Sequence, residues 1–158
     1  MKQGNEIALD QTANFEKPRG SLFFSFNGMT ASDIETHGRI KDISYPNGAH
    51  YTGECNAQNL KQGKGVFNDG QGNIYEGEFV NDRIEGKGIY KTKEGTVYNG
   101  EWKNDLQHGM GKETWPDGSY YLGMYNKGLK DGKGFYKWQD GSEYDGQWVA
   151  GNIEGHVD

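Results

Sequence analysis

One short pattern recurs along this chain and constrains its fold more than any other feature. In Tyr75-Glu76-Gly77-Glu78-Phe79, an aromatic residue, a glycine and a second aromatic residue occupy alternate positions. Period two is the spacing of side chains on one face of a β-strand. The pattern returns at residues 98–102, 121–125 and 144–148, each time 23 residues further on, and an earlier copy at 51–55 starts 24 residues before Tyr75. A fixed period of this size predicts an array of structural repeats.

Further glycines keep step with this pattern. Gly86, Gly88 and Gly95 all recur with the same period, and Gly63 lies 23 residues before Gly86. The extra residue of the first copy must therefore lie between Cys55 and Gly63. An insertion confined to one segment is typical of a loop, where added length costs little.

Each unit is expected to form a β-hairpin. The pattern predicts a strand over Tyr75–Val80, a polar loop over Asn81–Glu85, a second strand from about Gly86 to Thr92, and a turn at Lys93-Glu94-Gly95. The corresponding turns of later units contain Asp-Gly, which supplies the positive φ of a tight turn at little cost. Successive hairpins should pair side by side, with the motif rings lying on glycine backbone.

The composition supports a thin aromatic core. The chain has 158 residues, of which 26 are glycine and 13% are aromatic, and its mean hydropathy is −0.99. A net charge of −6 and a pI near 5.2 disfavour nucleic acid as a partner, because phosphate binding needs a basic surface. A single cysteine excludes an internal disulfide. With no signal-peptide pattern and no run of about 20 apolar residues, an intracellular, soluble protein is expected.

Three regions are predicted. Residues 1–20 form a polar tail, either flexible or ordered by a partner, with a short helix over Glu6–Phe15 as the alternative. Residues 21–50 combine an apolar capping strand, Ser21–Phe26, with the degenerate second half of a first repeat. Residues 51–158 form the array, with units at 51–74, 75–97, 98–120 and 121–143 and a partial unit at 144–158.

The combined pattern of Tyr-x-Gly-x-aromatic, Gly-x-Gly, Asp-Gly and the next tyrosine resembles the membrane occupation and recognition nexus family, the MORN repeats. The resemblance covers roughly residues 45–158, although Cys55 stands where the family pattern has an aromatic residue. It implies an all-β fold: an elongated, single-layer, twisted antiparallel sheet built from tandem 23-residue β-hairpin repeats. It also implies a scaffold or docking surface, in a cytoskeletal or ciliary (axonemal) assembly, or a module that approaches lipid.

No catalytic or metal site is expected. Glu54, Glu78 and Glu101 share one position of the repeat, but no second carboxylate converges on them, and a cross-strand hydrogen bond is the simpler interpretation. The histidines form no ligand set, and the Gly-Lys-Gly triplets lack the Walker spacing. We therefore expect neither an enzyme nor a bound cofactor.

Partner-binding candidates come from positions that vary between units. Trp115 and Trp138 stand where the preceding unit has Thr92, so they are candidates for an open aromatic groove. The full candidate set is Trp115, Trp138, Tyr90, Tyr136, Tyr144 and Trp148. A partner helix or strand could dock on this aromatic face or along the C-terminal edge strand, Tyr144–Val149, where a second copy of the chain is the other candidate.

Lysines on the repeated unit support a second hypothesis. Lys64, Lys87, Lys112 and Lys133 are the lipid-facing candidates. With Lys61 and Lys130 among the further lysines, they could line one edge of the sheet and contact a phosphoinositide membrane. The alternative is a solvated edge, since aspartates are interleaved with the lysines. A third hypothesis, a regulatory subunit of an enzyme in another chain, uses the same surfaces as the first.

Overall fold

A computed structural model describes residues 39–154, and these residues form one antiparallel sheet. It is 11-stranded, every strand pairs with its neighbours in sequence, and no helix occurs within the described range. The strands are β1 Arg39–Ser44, β2 His50–Cys55, β3 Lys61–Asn68, β4 Ile74–Val80, β5 Arg83–Lys91, β6 Val97–Lys103, β7 Leu106–Thr114, β8 Tyr120–Asn126, β9 Leu129–Lys137, β10 Glu143–Val149 and β11 Asn152–Ile153.

The sheet is single-layered and long in the direction that crosses its strands. Ten spacings of about 4.8 Å give a length of roughly 48 Å, whereas its longest strands, of 9 residues, span roughly 30 Å. The all-β, twisted, single-sheet architecture expected from the repeats is confirmed. The predicted capping strand, the polar tail and the last residues, 155–158, lie outside the described range.

A row of glycines crosses the sheet from β2 to β10 and explains why the motif needs them. Gly77 is the register partner of Gly65 on one side and of Gly88 on the other, and the row runs from Gly53 to Gly146. A Cβ added at Gly88 would overlap the Tyr75 ring. The first four motif tyrosines each lie over a pair of glycines and Tyr144 lies over Gly146, which confirms the predicted ring-on-glycine packing.

The rings on this side of the sheet form its core. We call this side the aromatic face; it bears the motif tyrosines Tyr51, Tyr75, Tyr98, Tyr121 and Tyr144. The first four are at most 1% exposed. The second ring of each motif packs edge-on between two of them, as Trp102 does between Tyr75 and Tyr98 at centroid distances of 5.5 and 5.0 Å. Edge-to-face pairs add to the stability that burial provides. In the first unit, Cys55 occupies the position of the second motif ring, and it is buried there.

The prediction for the first turn of each unit is wrong. Asn81–Glu85 is not a polar loop, because Asn81 and Asp82 alone, both at positive φ, close the turn, and β5 begins at Arg83. Asn and Asp tolerate this conformation better than most residues, so they can form a two-residue hairpin turn. In the first copy, Asn56 N donates a hydrogen bond to the Leu60 carbonyl, and the turn closed by this bond contains Ala57, Gln58 and Asn59. The extra residue therefore lies in the turn, as expected.

Gly86 marks a bulge, not the start of a strand. Its φ is +73°, and the pairing of β4 with β5 shifts register there, between Gly77–Gly88 and Phe79–Ile84. A bulge leaves a backbone group without a ladder partner. The glutamate of the preceding strand supplies the missing hydrogen-bond partner. In the next unit, for example, Glu101 Oε1 accepts a hydrogen bond from Met110 N at 3.1 Å. The cross-strand hydrogen bond expected for this glutamate position is thus confirmed.

Candidate functional site

The aromatic face is closed along its middle and open along one side. Its buried rows hold the motif tyrosines and the second motif rings. The open side follows the turns that begin at Thr92, Trp115 and Trp138, where the first residue donates its N–H to the carbonyl four residues later. Because this turn is the same in each unit, its first side chain is not fixed by the fold, and two of these positions hold tryptophan.

Five of the six candidate aromatic residues meet near the C-terminal end of this face. We call them the aromatic cluster: Trp115, Tyr136, Trp138, Tyr144 and Trp148. Tyr136 lies at the centre, with ring centroids 5.6 Å from Trp115, 4.6 Å from Trp138 and 5.9 Å from Trp148. Tyr144 packs edge-on against Trp148 at 5.7 Å. Tyr90 is not part of the cluster and packs against Trp102 instead.

The residues of the cluster differ in their exposure to solvent. Trp148 is 6% exposed and donates a hydrogen bond from Nε1 to the Gly134 carbonyl at 3.2 Å, so it belongs to the core. Trp115, Tyr136 and Tyr144 are half-buried, while Trp138 is 36% exposed. Burial raises the pKa of the Tyr136 hydroxyl, which therefore stays protonated at neutral pH. The three tilted ring pairs of Tyr136 leave an apolar surface that a partner side chain could contact.

Two charged residues lie beside the cluster: Glu113, which was not among the candidates from the sequence, and Lys130, which was expected to line an edge. Glu113 lies on the aromatic face between Tyr98 and Tyr121 and is 5% exposed. The Tyr125 hydroxyl donates a hydrogen bond to Glu113 Oε1 at 2.7 Å. Lys130 Nζ lies 5.2 Å from the centroid of the Trp115 ring, a distance at which the cation is attracted to the ring. The sequence did contain a sign that Glu113 is buried. Tyr90 and Tyr136 occupy the same position of the repeat in the units before and after it.

Burial makes Glu113 an unusual acid. It raises the pKa of this carboxyl from 4.5 to about 7, while the positive charge of Lys130 and the Tyr125 hydrogen bond act in the opposite direction. Desolvation wins because the side chain is surrounded by rings. The group is therefore partly protonated at neutral pH.

The lysine candidates lie on the other side of the sheet. The opposite face, as we call it, bears Lys64, Lys87, Lys112 and Lys133. Lys64 is the register partner of Glu78, Lys87 that of Glu101, and Lys133 Nζ is 3.6 Å from the Asp145 carboxylate. Lys61 and Lys130 are not edge residues, because both reach over rings of the aromatic face.

The described residues hold no group of three or more metal-ligating side chains, and no helix among them is long and apolar enough to cross a membrane. A family model described as MORN repeat matches four consecutive segments, residues 75–97, 98–120, 121–143 and 144–156, which together make up more than half of the chain. No curated protein matches this chain. The last three of the four matched segments contain the residues of the aromatic cluster.

Proposed function

The chain belongs to the MORN repeat family, a non-enzymatic repeat module, and on that premise we propose that it is a non-catalytic structural or adaptor protein that docks a partner protein on its aromatic face. The observation that carries the proposal is the aromatic cluster, in which Trp115 and Trp138 stand at turn positions whose side chain the fold leaves open. Half-buried tryptophan and tyrosine are the residues that most often anchor protein interfaces.

The docking surface extends to the edge of the sheet. Tyr144 belongs both to the cluster and to β10, and within the described residues β11 pairs only with Trp148 and Val149 of that strand. Gln147 also accepts a hydrogen bond at its carbonyl from Glu154 N, so among the described residues the backbone of 143–146 is left at an edge, which a partner strand can pair. A helix or extended segment seated on the cluster and continuing along β10 would use both features, and so would a second copy of the chain.

The setting we propose is a cytoskeletal assembly, with an axonemal one as its most specific form. The support is the architecture alone, since a single-layer sheet roughly 48 Å long offers surface on both faces and little interior for chemistry. A regulatory subunit of an enzyme in another chain would use the same docking surface, and the identity of the captured partner separates the two.

The test is affinity capture from the native cell with the full chain and with Trp115→Ala/Trp138→Ala. We expect the double variant to lose a discrete partner while its circular dichroism spectrum keeps the β signal. The matched control is Ile74→Ala/Val80→Ala, which truncates two exposed apolar side chains on the opposite face, at β4 and away from the cluster. If the tryptophan variant retains the partner, or loses its fold together with the partner, the aromatic cluster is not a docking surface.

Membrane binding through the lysines is the weaker candidate, because carboxylates accompany them on the opposite face. Co-sedimentation with liposomes that contain phosphoinositides tests it directly. We expect no more binding than to neutral liposomes. Binding that depends on phosphoinositide and disappears in Lys64→Glu/Lys87→Glu would establish the lipid function instead.

A further inference from the structure

One row of residues on the opposite face breaks its own repeat. Along this row, register partners form the pairs Lys64–Glu78 and Lys87–Glu101 in successive units. The next pair is Met110–Met124. A charged pair is thus replaced by two thioethers, although the backbone at this point is the same in all three units.

The two methionines are the start of a contiguous apolar island. Its exposed members are Met110, Met124 and Leu122, with exposures of 49%, 38% and 43%. Leu122 is the register partner of Phe135, whose ring centroid lies 6.0 Å from that of Tyr120. These five residues, the apolar island, lie on β7, β8 and β9. Exposed apolar residues scattered singly need no explanation, whereas a contiguous group indicates a contact surface.

The charge around the island is positive, in contrast to the rest of this face. Lys112 lies beside Leu122, with Nζ 4.5 Å from the centroid of the Tyr120 ring. Between residues 87 and 147 the opposite face carries six lysines against four carboxylates: Lys87, Lys91, Lys103, Lys112, Lys133 and Lys137 against Glu101, Asp131, Glu143 and Asp145. Between residues 40 and 78 it carries Lys64 against Asp42, Glu54, Glu76 and Glu78. An occupant of the island should therefore combine apolar and acidic side chains.

We propose that residues 6–16 of this same chain cover the apolar island. The segment reads Glu-Ile-Ala-Leu-Asp-Gln-Thr-Ala-Asn-Phe-Glu, so it offers Ile7, Leu9 and Phe15 together with three carboxylates and no lysine or arginine. It lies outside the described residues, and the assignment rests on its composition and on the surface it would fit.

The chain is long enough to make this contact. The 22 residues between position 16 and β1 reach at most roughly 73–79 Å when extended. From β1 to β7 or β8 the sheet measures six or seven strand spacings, roughly 29–34 Å. The segment therefore reaches the island even along an indirect path over the sheet.

Other occupants fit the charges less well. An anionic membrane lying flat on the opposite face would also meet the acidic part around Glu54, Glu76 and Glu78. A second copy packed island to island would bring the lysine-rich parts of both copies together. Both arrangements place like charges side by side, which disfavours them relative to an acidic apolar segment.

The test uses the full chain with a nitroxide label at Asn14→Cys and ¹³C-methyl-labelled methionine. Cys55 is 3% exposed, so the label reacts with the introduced thiol. We expect the Met110 and Met124 methyl signals to lose most of their intensity and to recover it when the nitroxide is reduced. Phe15→Asp should abolish the loss, whereas Gln11→Ala, a change of an uncharged polar residue in the same segment, should leave it.

Each remaining outcome overturns the proposal. Undiminished methionine signals would mean that the segment does not approach the island. Loss that also appears in ¹³C-labelled chains without a nitroxide, when they are mixed with nitroxide-labelled chains without ¹³C, would indicate a second copy as the occupant. Undiminished signals that broaden on addition of phosphatidylserine vesicles would assign the island to a membrane.

Discussion

Replacement of Glu113 by glutamine tests whether a carboxyl can be buried in this aromatic core at a cost that depends on pH. The wild-type side chain is 5% exposed and accepts the Tyr125 hydrogen bond at 2.7 Å. Glutamine has nearly the same shape, and its carbonyl oxygen can accept the same bond, but it does not titrate. The variant therefore removes the ionisation of this position with little change of packing.

The magnitude follows from the raised pKa of Glu113. Burial moves the pKa from 4.5 to about 7, so the folded chain holds this proton more tightly than the unfolded chain does. The stabilising contribution is fully present below pH 4.5 and is lost as the pH rises through about 7. Because each pKa unit corresponds to about 1.4 kcal/mol, the wild type should lose roughly 2 to 3 kcal/mol relative to Glu113→Gln between pH 5 and pH 8.

The assay is urea unfolding of both proteins at pH 5, 6, 7 and 8, with the free energy of unfolding compared at each pH. Taking the difference between the two proteins cancels the titration of every other group, provided that those groups behave alike in both. A difference that stays constant from pH 5 to pH 8 would refute the reasoning, because the carboxyl would then have the same pKa in the folded and unfolded chains.

Two further predictions concern the framework. Gly100→Val should lower the free energy of unfolding by about 1–3 kcal/mol, because a Cβ there would overlap the backbone of Gly111. The control Asn99→Val, on the other face of the same strand, should have little effect, and equal melting temperatures for the two variants would contradict the packing of rings on glycine. Tyr98→Phe should cost about 1 kcal/mol in urea unfolding, since its hydroxyl donates to the Glu101 carbonyl at 2.8 Å, and no measurable loss would show that this bond is replaced by solvent.

Much of the fold could be read from the sequence because the repeat amplifies weak signals. A single glycine between aromatics, such as Gly77 between Tyr75 and Phe79, says little by itself. Its return every 23 residues fixes which side chains share a face, since the alternation of a strand leaves only two choices. The phase of Trp115 and Trp138 predicted the end of the second strand of each unit, and the structure has them one residue further on, as the first residues of the turns.

The errors came from features that the pattern alone does not separate. A glycine that starts a strand and a glycine at a bulge look alike in one sequence, and the pairing of β4 with β5 decides that Gly86 is the second kind. Glu113 is buried because its register partners are Tyr98 and Tyr121, which is a property of neighbouring strands. Lys130 reads as a surface residue until the Trp115 ring is found beneath it.

The residues that repeat and the residues that break the repeat have different roles in this sheet. The repeated tyrosines and glycines form the core, and every unit needs them because each hairpin is stabilised mainly by its two neighbours. Glu113, Met110 and Trp115 break the pattern, and all three lie in the unit of residues 98–120. A single-layer sheet exposes both faces, so such exceptions can give each face its own contact surface without disturbing the core. The aromatic cluster and the apolar island therefore lie on opposite faces of the sheet and have only β9 in common, so each can be altered through residues that the other does not contain.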